Sequence, residues 1–339
     1  MTETIQIGTA AAKPGERARG KLFVGELANG SEVAIPVMIA NGKNPGPVLW
    51  LNAALHGNEF NGVIVSRRVA AEVDVDQLNG AIVCTPVSNP TAFQGKQRLS
   101  LFDELNLGEC YPGQKNGQMT ERVAFTHFQE LKKYANYLID YHASGVTHLA
   151  APYSVYKTCD KTGIEAETER LVKAFGLYLN CKINTTQSLD EPHPLGGSLD
   201  LQCILNNIPA FMVEIGNSGR LEDDIIEASV QSTYNVMKYL KMVPGSPEIK
   251  DNQKIVQKRY IVRCNNSGIV LQETKPYDYV KKGARIARIV NLFGDVLEEV
   301  IAEEDCYMIS LRYDAVVNAG DRVAFVGIAP QAAENTIGE

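Results

Sequence analysis

Short apolar runs alternate with amphipathic helical stretches along the first two thirds of the chain. Four runs have the length and composition of buried strands: residues 48–55, 81–87, 137–141 and 209–216. Apolar positions recur at helical spacing in four further stretches, from about residue 62 and over 119–134, 165–179 and 223–240. Parallel strands need crossover connections, which are usually helices. The alternation therefore predicts an α/β domain in which helices flank a mostly parallel or mixed sheet.

The pattern changes after residues 243–247, Val-Pro-Gly-Ser-Pro, which have the composition of a linker. Short strand-like runs and turns follow, and residues 280–287 recur in similar form as residues 317–324. Two matching halves predict a small β-sandwich with pseudo-twofold symmetry, similar to the barrel-sandwich folds of lipoyl and biotinyl carriers. A carrier needs a lysine in the hairpin between its halves. No lysine follows Lys282, which argues against a carrier role.

The composition is that of an ordinary globular protein, with 45% hydrophobic and 22% charged residues among 339. That length predicts a large domain, residues 1–245, and a smaller one, residues 246–339. A net charge of −7 gives no basic surface for nucleic acid. No apolar run has the length of a signal peptide core or a membrane span, so we expect a cytoplasmic protein. Seven scattered cysteines without a C-x-x-C pair predict thiols in a reducing compartment.

Titratable residues stand at or near the ends of three apolar runs: His56 with Glu59, His142, and Glu214. In an open α/β sheet, ligands bind outside the carboxyl ends of the strands, so these side chains are expected to converge. Imidazole nitrogen and carboxylate oxygen are zinc ligands, and three protein ligands leave one position for water. The four residues together contain the two imidazoles and the carboxylate of a His₂Glu zinc site, which the sequence therefore predicts.

Each of these residues, taken singly, also suits a structural role such as a helix cap or a core position. Glu214 is the hardest to explain in that way, because a lone carboxylate in an apolar strand is costly to bury unless it is paired or neutralised. Gly57 is expected to permit a sharp turn that other residues resist. His127, inside a helical stretch, is predicted to be structural. Residues 89–113 are predicted to form an irregular active-site loop.

Four short motifs follow one another in a fixed order. They are H-G-N-E at residues 56–59, N-P-x-A-F at 89–93, D-x-H at 140–142 and V-E-x-G at 213–216. With these motifs the chain resembles the succinylglutamate desuccinylase/aspartoacylase family, whose fold is similar to that of zinc carboxypeptidases. The resemblance covers most of the chain, because the region after residue 250 is similar to the C-terminal domain of bacterial members.

The resemblance implies one Zn²⁺ per chain, held by the ligands His56, Glu59 and His142. It implies that Glu214 acts as general base and acid, and that Arg98 polarises the scissile carbonyl. Asn106 would contact the substrate. The sequence departs from the family pattern at Leu107, where an arginine is expected. The departure removes one cation from the predicted pocket and points away from strict aspartoacylase or succinylglutamate specificity.

The implied activity is amide hydrolysis by metal-activated water, which removes an acyl group from an N-acyl amino acid or related amine. Two alternatives stay open: a metallocarboxypeptidase acting on short peptides, and a binding protein with a degenerate site. The expected partner is a small molecule, not nucleic acid or a membrane, and a homo-oligomer is left open. Asp140 is a candidate to orient His142, although strand alternation leaves its direction open. Tyr153, Lys157 and Arg220 are candidates for substrate contact that the sequence does not separate from surface residues.

Overall fold

The structure, a computed structural model, describes residues 3–159, 163–185 and 197–328. In these residues the helices are α1 (Asn61–Glu72), α2 (Pro90–Gly95), α3 (Leu107–Cys110), α4 (Met119–Tyr134), α5 (Glu165–Phe175), α6 (Leu199–Leu205) and α7 (Asp223–Tyr239). The strands of the N-terminal part are β1 (Ile5–Ile7), β2 (Ala10–Ala12), β3 (Arg17–Glu26), β4 (Glu32–Asn41), β5 (Asn44–Ala53), β6 (Asn79–Thr85), β7 (Tyr137–Ser144), β8 (His148–Ala150), β9 (Tyr153–Thr158), β10 (Leu179–Asn184) and β11 (Ala210–Asn217). The remaining strands are β12 (Lys254–Val256), β13 (Arg259–Arg263), β14 (Gly268–Gln272), β15 (Tyr279–Val280), β16 (Arg285–Val290), β17 (Val296–Ile301), β18 (Cys306–Arg312), β19 (Val316–Val317) and β20 (Arg322–Ile328).

The described residues form one large sheet with the strand order β12-β10-β9-β11-β7-β5-β6-β4-β3. Its centre is parallel, because β11, β7, β5 and β6 all run in one direction. Antiparallel pairs join β11 to β9, β6 to β4, and β4 to β3. The prediction of a mostly parallel or mixed α/β sheet is confirmed.

Alternation along the central strands directs successive side chains to two different cores. In β7, Leu138 joins the core beneath α4 and α6, whereas Ile139 and Tyr141 join the core beneath α1, α5 and α7. Helices therefore cover both faces, as the apolar character of the strands requires. On the first of these faces, Asp140 and His142 continue the series begun by Leu138.

Residues after 256 form two smaller antiparallel sheets within the described part of the chain. One has the order β13-β20-β18-β15 and the other the order β17-β16-β14-β19. The sequence repeat has a structural basis, because a turn joins β15 to β16 and another joins β19 to β20. The turns contain Gly283 at φ 82° and Gly320 at φ 88°, a region that glycine adopts without strain. The predicted C-terminal β fold is confirmed.

The two parts of the chain exchange strands. Strand β12 lies beyond residue 245 but pairs with β10 of the large sheet. Strand β8 follows the end of β7 but pairs with β18 of a C-terminal sheet. We call the two C-terminal sheets together the β module. The domain division at residue 245 stays a prediction.

The stretch 89–113 is less irregular than predicted, because it contains the short helices α2 and α3. Asn89 caps α2 by accepting a hydrogen bond from Ala92 N at 3.2 Å. Asn106 caps α3 by accepting one from Gly108 N at 3.0 Å. Asparagine is favoured at this position because its side chain satisfies a backbone donor that the helix leaves open.

Candidate metal centre

The turn after β5 brings His56 and Glu59 to the carboxyl edge of the sheet. Its left-handed residue is Ala54, at φ 45°, and Gly57 does not have a positive φ. The backbone conformation of the turn therefore does not require Gly57, contrary to the prediction from the sequence. A Cβ on Gly57 would lie 1.9 Å from the carbonyl carbon of Ala92, so glycine is needed for close contact with α2.

Three side chains meet at this edge as the sequence predicted. His56 Nδ1 lies 2.7 Å from Glu59 Oε1, and His142 Nδ1 lies 3.1 Å from Glu59 Oε2. The two Nδ1 atoms are 3.3 Å apart. All three residues are buried, with exposures of 3–6%, and their ligand atoms lie within 4.8 Å of one another. A group of this composition and size can bind a metal ion.

The outer nitrogens of both rings face oxygen acceptors. Nε2 of His142 lies 3.1 Å from Asp140 Oδ2, and Nε2 of His56 lies 3.2 Å from Asn106 Oδ1. A proton on each Nε2 satisfies these acceptors, and the two Nδ1 atoms then face the Glu59 carboxylate. Either a further proton or a metal ion must lie between these groups, because bare acceptors at these distances repel one another. The donor set therefore fits Zn²⁺.

The charge state of Glu59 suits a metal ligand. Burial alone would raise the pKa of its carboxyl group, but the neighbouring imidazoles of His56 and His142 outweigh that effect and hold the pKa at about 2. Burial opposes a charge on His142 too, yet Asp140 and Glu59 raise its pKa well above the ordinary value. Glu59 is thus a carboxylate at neutral pH, the form that binds metals.

Glu214 lies beside this group on the neighbouring strand. It is opposite His142 in the parallel β7–β11 pair and opposite Tyr153 in the antiparallel β9–β11 pair. Its side chain is half-buried, less enclosed than its apolar strand suggested, but Oε2 is buried and has no hydrogen-bond partner in the described residues. Burial and the charge of Glu59 raise the pKa of Glu214 to about 7. A carboxyl group with that pKa can accept and return a proton near neutrality.

Arg98 reaches the same cluster from the loop after α2. Its Nη1 lies 3.3 Å from His56 Nδ1 and 3.9 Å from Glu59 Oε1, while the side chain remains 57% exposed. The guanidinium therefore faces both the ligand atoms and solvent.

The structure gives Asn106 a supporting position. Its Oδ1 faces His56 and caps α3, and its Nδ2 donates to Glu109 Oε1 at 2.9 Å. Contact of Asn106 with a substrate stays a prediction. Leu107 does not point into the pocket, because its side chain is wholly buried in the core beneath α4 and α6.

A chain of buried hydrogen bonds that the sequence analysis missed extends behind the cluster. Asn52 Nδ2 donates to Asp140 Oδ1 at 2.7 Å, and Thr85 Oγ1 donates to Asn52 Oδ1 at 2.9 Å. His127 ends the chain, with Nε2 3.2 Å from Thr85 Oγ1 and Nδ1 2.8 Å from the Tyr111 hydroxyl. The available signal was a polar residue, Asn52, inside an apolar strand.

The three weaker candidates differ in position. Tyr153 is buried beside Glu214. The sequence around Tyr153 did not indicate this position. Lys157 is ion-paired with Asp200, with Nζ 2.7 Å from Oδ1. Arg220 pairs with Glu222 at 3.0 Å. Only Tyr153 of these three therefore lies against a residue of the predicted centre.

A comparison with protein families decides the relationship that the motifs suggested. The succinylglutamate desuccinylase/aspartoacylase catalytic domain matches residues 45–240. The chain belongs to this family. The matched region contains every residue of the candidate centre, and the predicted family is confirmed.

Relatives of known name or structure extend the match beyond that domain. An N-alpha-acetyl-L-2,4-diaminobutyric acid deacetylase from Halomonas elongata is 22% identical over 87% of this chain and 85% of its own. The product-bound ectoine utilization protein EutE (DoeB) from Ruegeria pomeroyi superposes with a TM-score of 0.80, at 22% identity, over 92% of this chain and 95% of its own. A succinylglutamate desuccinylase/aspartoacylase from Rhodobacter sphaeroides superposes with a TM-score of 0.81, at 21% identity, over 93% of this chain and 96% of its own. These structures share the fold of both parts of the chain.

The helices of the described residues include none with the length and apolarity needed to cross a membrane.

Proposed function

We propose that this protein is a zinc-dependent amide hydrolase that removes an acyl group from an N-acyl amino acid or a related amine. The observation that carries the proposal is the cluster of His56, Glu59 and His142 with Glu214 beside it. The cluster supplies three ligands, and Glu214 supplies a carboxyl group of suitable pKa.

When bound, zinc supplies a Lewis acid and lowers the pKa of a coordinated water toward about 7. Glu214 accepts the proton of the attacking water and delivers it to the departing amine. Its pKa of about 7 leaves both forms accessible, as a group that changes from base to acid requires. Its unpaired Oε2 is available for this exchange.

Arg98 is proposed to bind the carbonyl oxygen as negative charge develops on it. A guanidinium donor at that position stabilises the transition state more than the ground state. Its present contacts are long, at 3.3 and 3.9 Å, and most of the side chain is exposed, so little is lost when it turns toward a substrate.

The family relationship supports the choice of substrate class. The Halomonas elongata relative is named as a deacetylase of an N-acetylated amino acid, which favours an N-acyl amino acid here as well. The partner proposed is accordingly a small molecule. None of the seven cysteines, all of which lie in the described residues, forms a disulfide, which suits the cytoplasmic location that the sequence predicted.

The test compares two substrate sets on one zinc-loaded preparation. A panel of N-acetyl amino acids and a panel of dipeptides are incubated with the protein, and the release of free amine is followed. We expect release from the acetylated panel and little from the dipeptides, with loss of activity after chelation and recovery with zinc. Preference for dipeptides would favour a metallocarboxypeptidase. Turnover of neither panel by a fully zinc-loaded chain would favour a degenerate binding protein.

A further inference from the structure

One face of the β module is built from three adjacent strands. Ala150 of β8 lies opposite Ser310 of β18, which in turn lies opposite Phe325 of β20. Directly opposed residues in antiparallel strands project to the same side. His148 projects to that side too, because it is two residues from Ala150.

This face packs on the large sheet next to Glu214. Ala150 and Phe325 belong to one apolar cluster with Tyr153, Val155 and Met212 of the large sheet. Glu214 is two residues from Met212 on β11, so its side chain projects from the same side of the sheet. The β module therefore forms a wall of the space into which Glu214 projects.

Arg322 lies on that wall without a counter-ion. Its guanidinium carbon is 5.0 Å from the centre of the Phe325 ring, and its Nη2 donates a hydrogen bond to Ser310 Oγ. Its Nε is buried and has no hydrogen-bond partner among the described residues, and none of the ion pairs between those residues includes Arg322. A partly buried cation that lacks a counter-ion is costly, and a carboxylate ligand would remove that cost.

Arg322 and Glu214 influence each other electrostatically. Burial lowers the pKa of Arg322, and the charge of Glu214 opposes that effect. Burial raises the pKa of Glu214, and Arg98 and Arg322 are among the charges that oppose it. Glu214 thus has one cation on the loop side and another on the module side.

A second unpartnered polar atom lies on the same wall. His148 Nε2 is buried and has no hydrogen-bond partner in the described residues, while Nδ1 lies 3.0 Å from Thr147 Oγ1. Burial, with Arg322 as a further cause, lowers the pKa of His148 to about 4, so the ring is neutral near pH 7. When the Thr147 hydroxyl donates to Nδ1, the ring proton is on Nε2 and is available to an anion.

We propose that Arg322, assisted by His148, binds the free carboxylate of the substrate. The inference rests on the proposed deacylase function and specifies its substrate class as acylated amines that carry a carboxylate. The fork of a guanidinium matches a carboxylate in two parallel hydrogen bonds. Arg322 thus supplies the pocket with a positive charge from the β module. The arginine that the family pattern places at position 107 is a leucine here, so α3 supplies no such charge.

The experiment measures binding, so that turnover is not needed. In the Glu214→Gln background, calorimetry compares an N-acetyl amino acid with its carboxamide, which has nearly the same shape but an uncharged NH₂ in place of one carboxylate oxygen. Arg322→Met and Arg322→Lys are each introduced into that background. The matched control is Arg288→Met, which removes an exposed cation of the same module that is already paired with Glu273 at 2.6 Å.

We expect Arg322→Met to weaken binding of the carboxylate ligand about 10- to 100-fold and to leave the carboxamide within about twofold, because a hydrogen-bonded charge pair is lost. Arg322→Lys should lower the affinity for the carboxylate ligand at least about fivefold and leave the affinity for the carboxamide unchanged, since lysine lacks the planar fork. Arg288→Met should change neither affinity. A melting curve shows whether Arg322→Met folds. If it does not fold, the ligand affinities of Arg322→Lys test the inference.

Three outcomes would overturn the inference: no carboxylate preference in the Glu214→Gln background, an unchanged preference in the Arg322 variants, or equal losses for both ligands. Failure of the proposed function would give a different result. The zinc-loaded wild-type protein would then bind the N-acetyl amino acid but would not hydrolyse it.

Discussion

Glu214 and His142 stand directly opposite each other on the parallel strands β11 and β7. Opposed residues of neighbouring strands project to the same side, so the register of the sheet places the proposed metal ligand beside the proposed proton carrier. The same register places Asp140 on that side, two residues before His142. Much of the chemistry therefore depends on the sheet itself, with loops supplying His56, Glu59 and Arg98.

Replacement of Glu214 by glutamine should separate metal binding from catalysis. The amide keeps the size of the side chain but cannot carry a proton between water and amine. We expect kcat to fall about 10²- to 10⁴-fold while zinc content stays that of the wild type. Amine release and elemental analysis of one preparation measure both quantities. Near-normal turnover would remove Glu214 from the mechanism.

Asp140→Asn should weaken the metal site without removing a ligand. The carboxylate accepts from His142 Nε2 at 3.1 Å and from Asn52 Nδ2 at 2.7 Å, and so fixes the orientation of the ring. Loss of such a partner typically reduces metal affinity about 10- to 100-fold. A competition titration with a chelator measures the change. Wild-type affinity in the variant would show that His142 is held by other contacts.

Arg98→Ala should act on turnover more than on binding. If the guanidinium stabilises the developing oxyanion, kcat falls about 10²- to 10³-fold and KM changes little. Lys96→Ala is the matched control, because Lys96 is an exposed cation two residues away in the same loop. A KM effect alone would instead assign Arg98 to substrate binding in the ground state.

His127 should make the fold sensitive to acid. Burial lowers its pKa from 6.5 to about 4, so the unfolded chain binds a proton at a pH where the folded chain does not. The resulting contribution is fully present above pH 6.5 and is lost as the pH falls toward 4, by about 2 kcal/mol between pH 7 and 5. Denaturant titrations at pH 7 and pH 5 measure the free energy of unfolding at each pH. Between these values His127→Gln should lose about 2 kcal/mol less of that free energy than the wild type does. Equal losses would show that His127 does not titrate in this way.

The convergence of the candidate centre was predictable from the sequence because its residues follow short apolar runs. The carboxyl ends of parallel strands meet at one edge, so His56 and His142 approach each other although they are distant along the chain. Glu214 stood out for a different reason, as a carboxylate in an apolar strand. Neither inference required knowledge of the order of the strands.

Side-chain directions and contacts between distant segments were not predictable. Leu107 follows the helix cap Asn106, and the start of α3 turns it into the core and away from the pocket. Arg322 comes within electrostatic range of Glu214 because the β module packs on the face of the large sheet, to which β8 and β12 connect it. This placement depends on the packing of two sheets, which no local pattern encodes.

We propose that His56, Glu59 and His142 together hold one zinc ion on which hydrolysis depends. The most direct measurement is zinc per chain by elemental analysis, alongside amine release, for the wild type, His142→Ala and metal-free protein titrated with zinc. We expect one zinc per chain, activity that rises in proportion to zinc up to that ratio, and loss of both in His142→Ala. Full zinc content in His142→Ala, or activity that does not follow zinc, would contradict it.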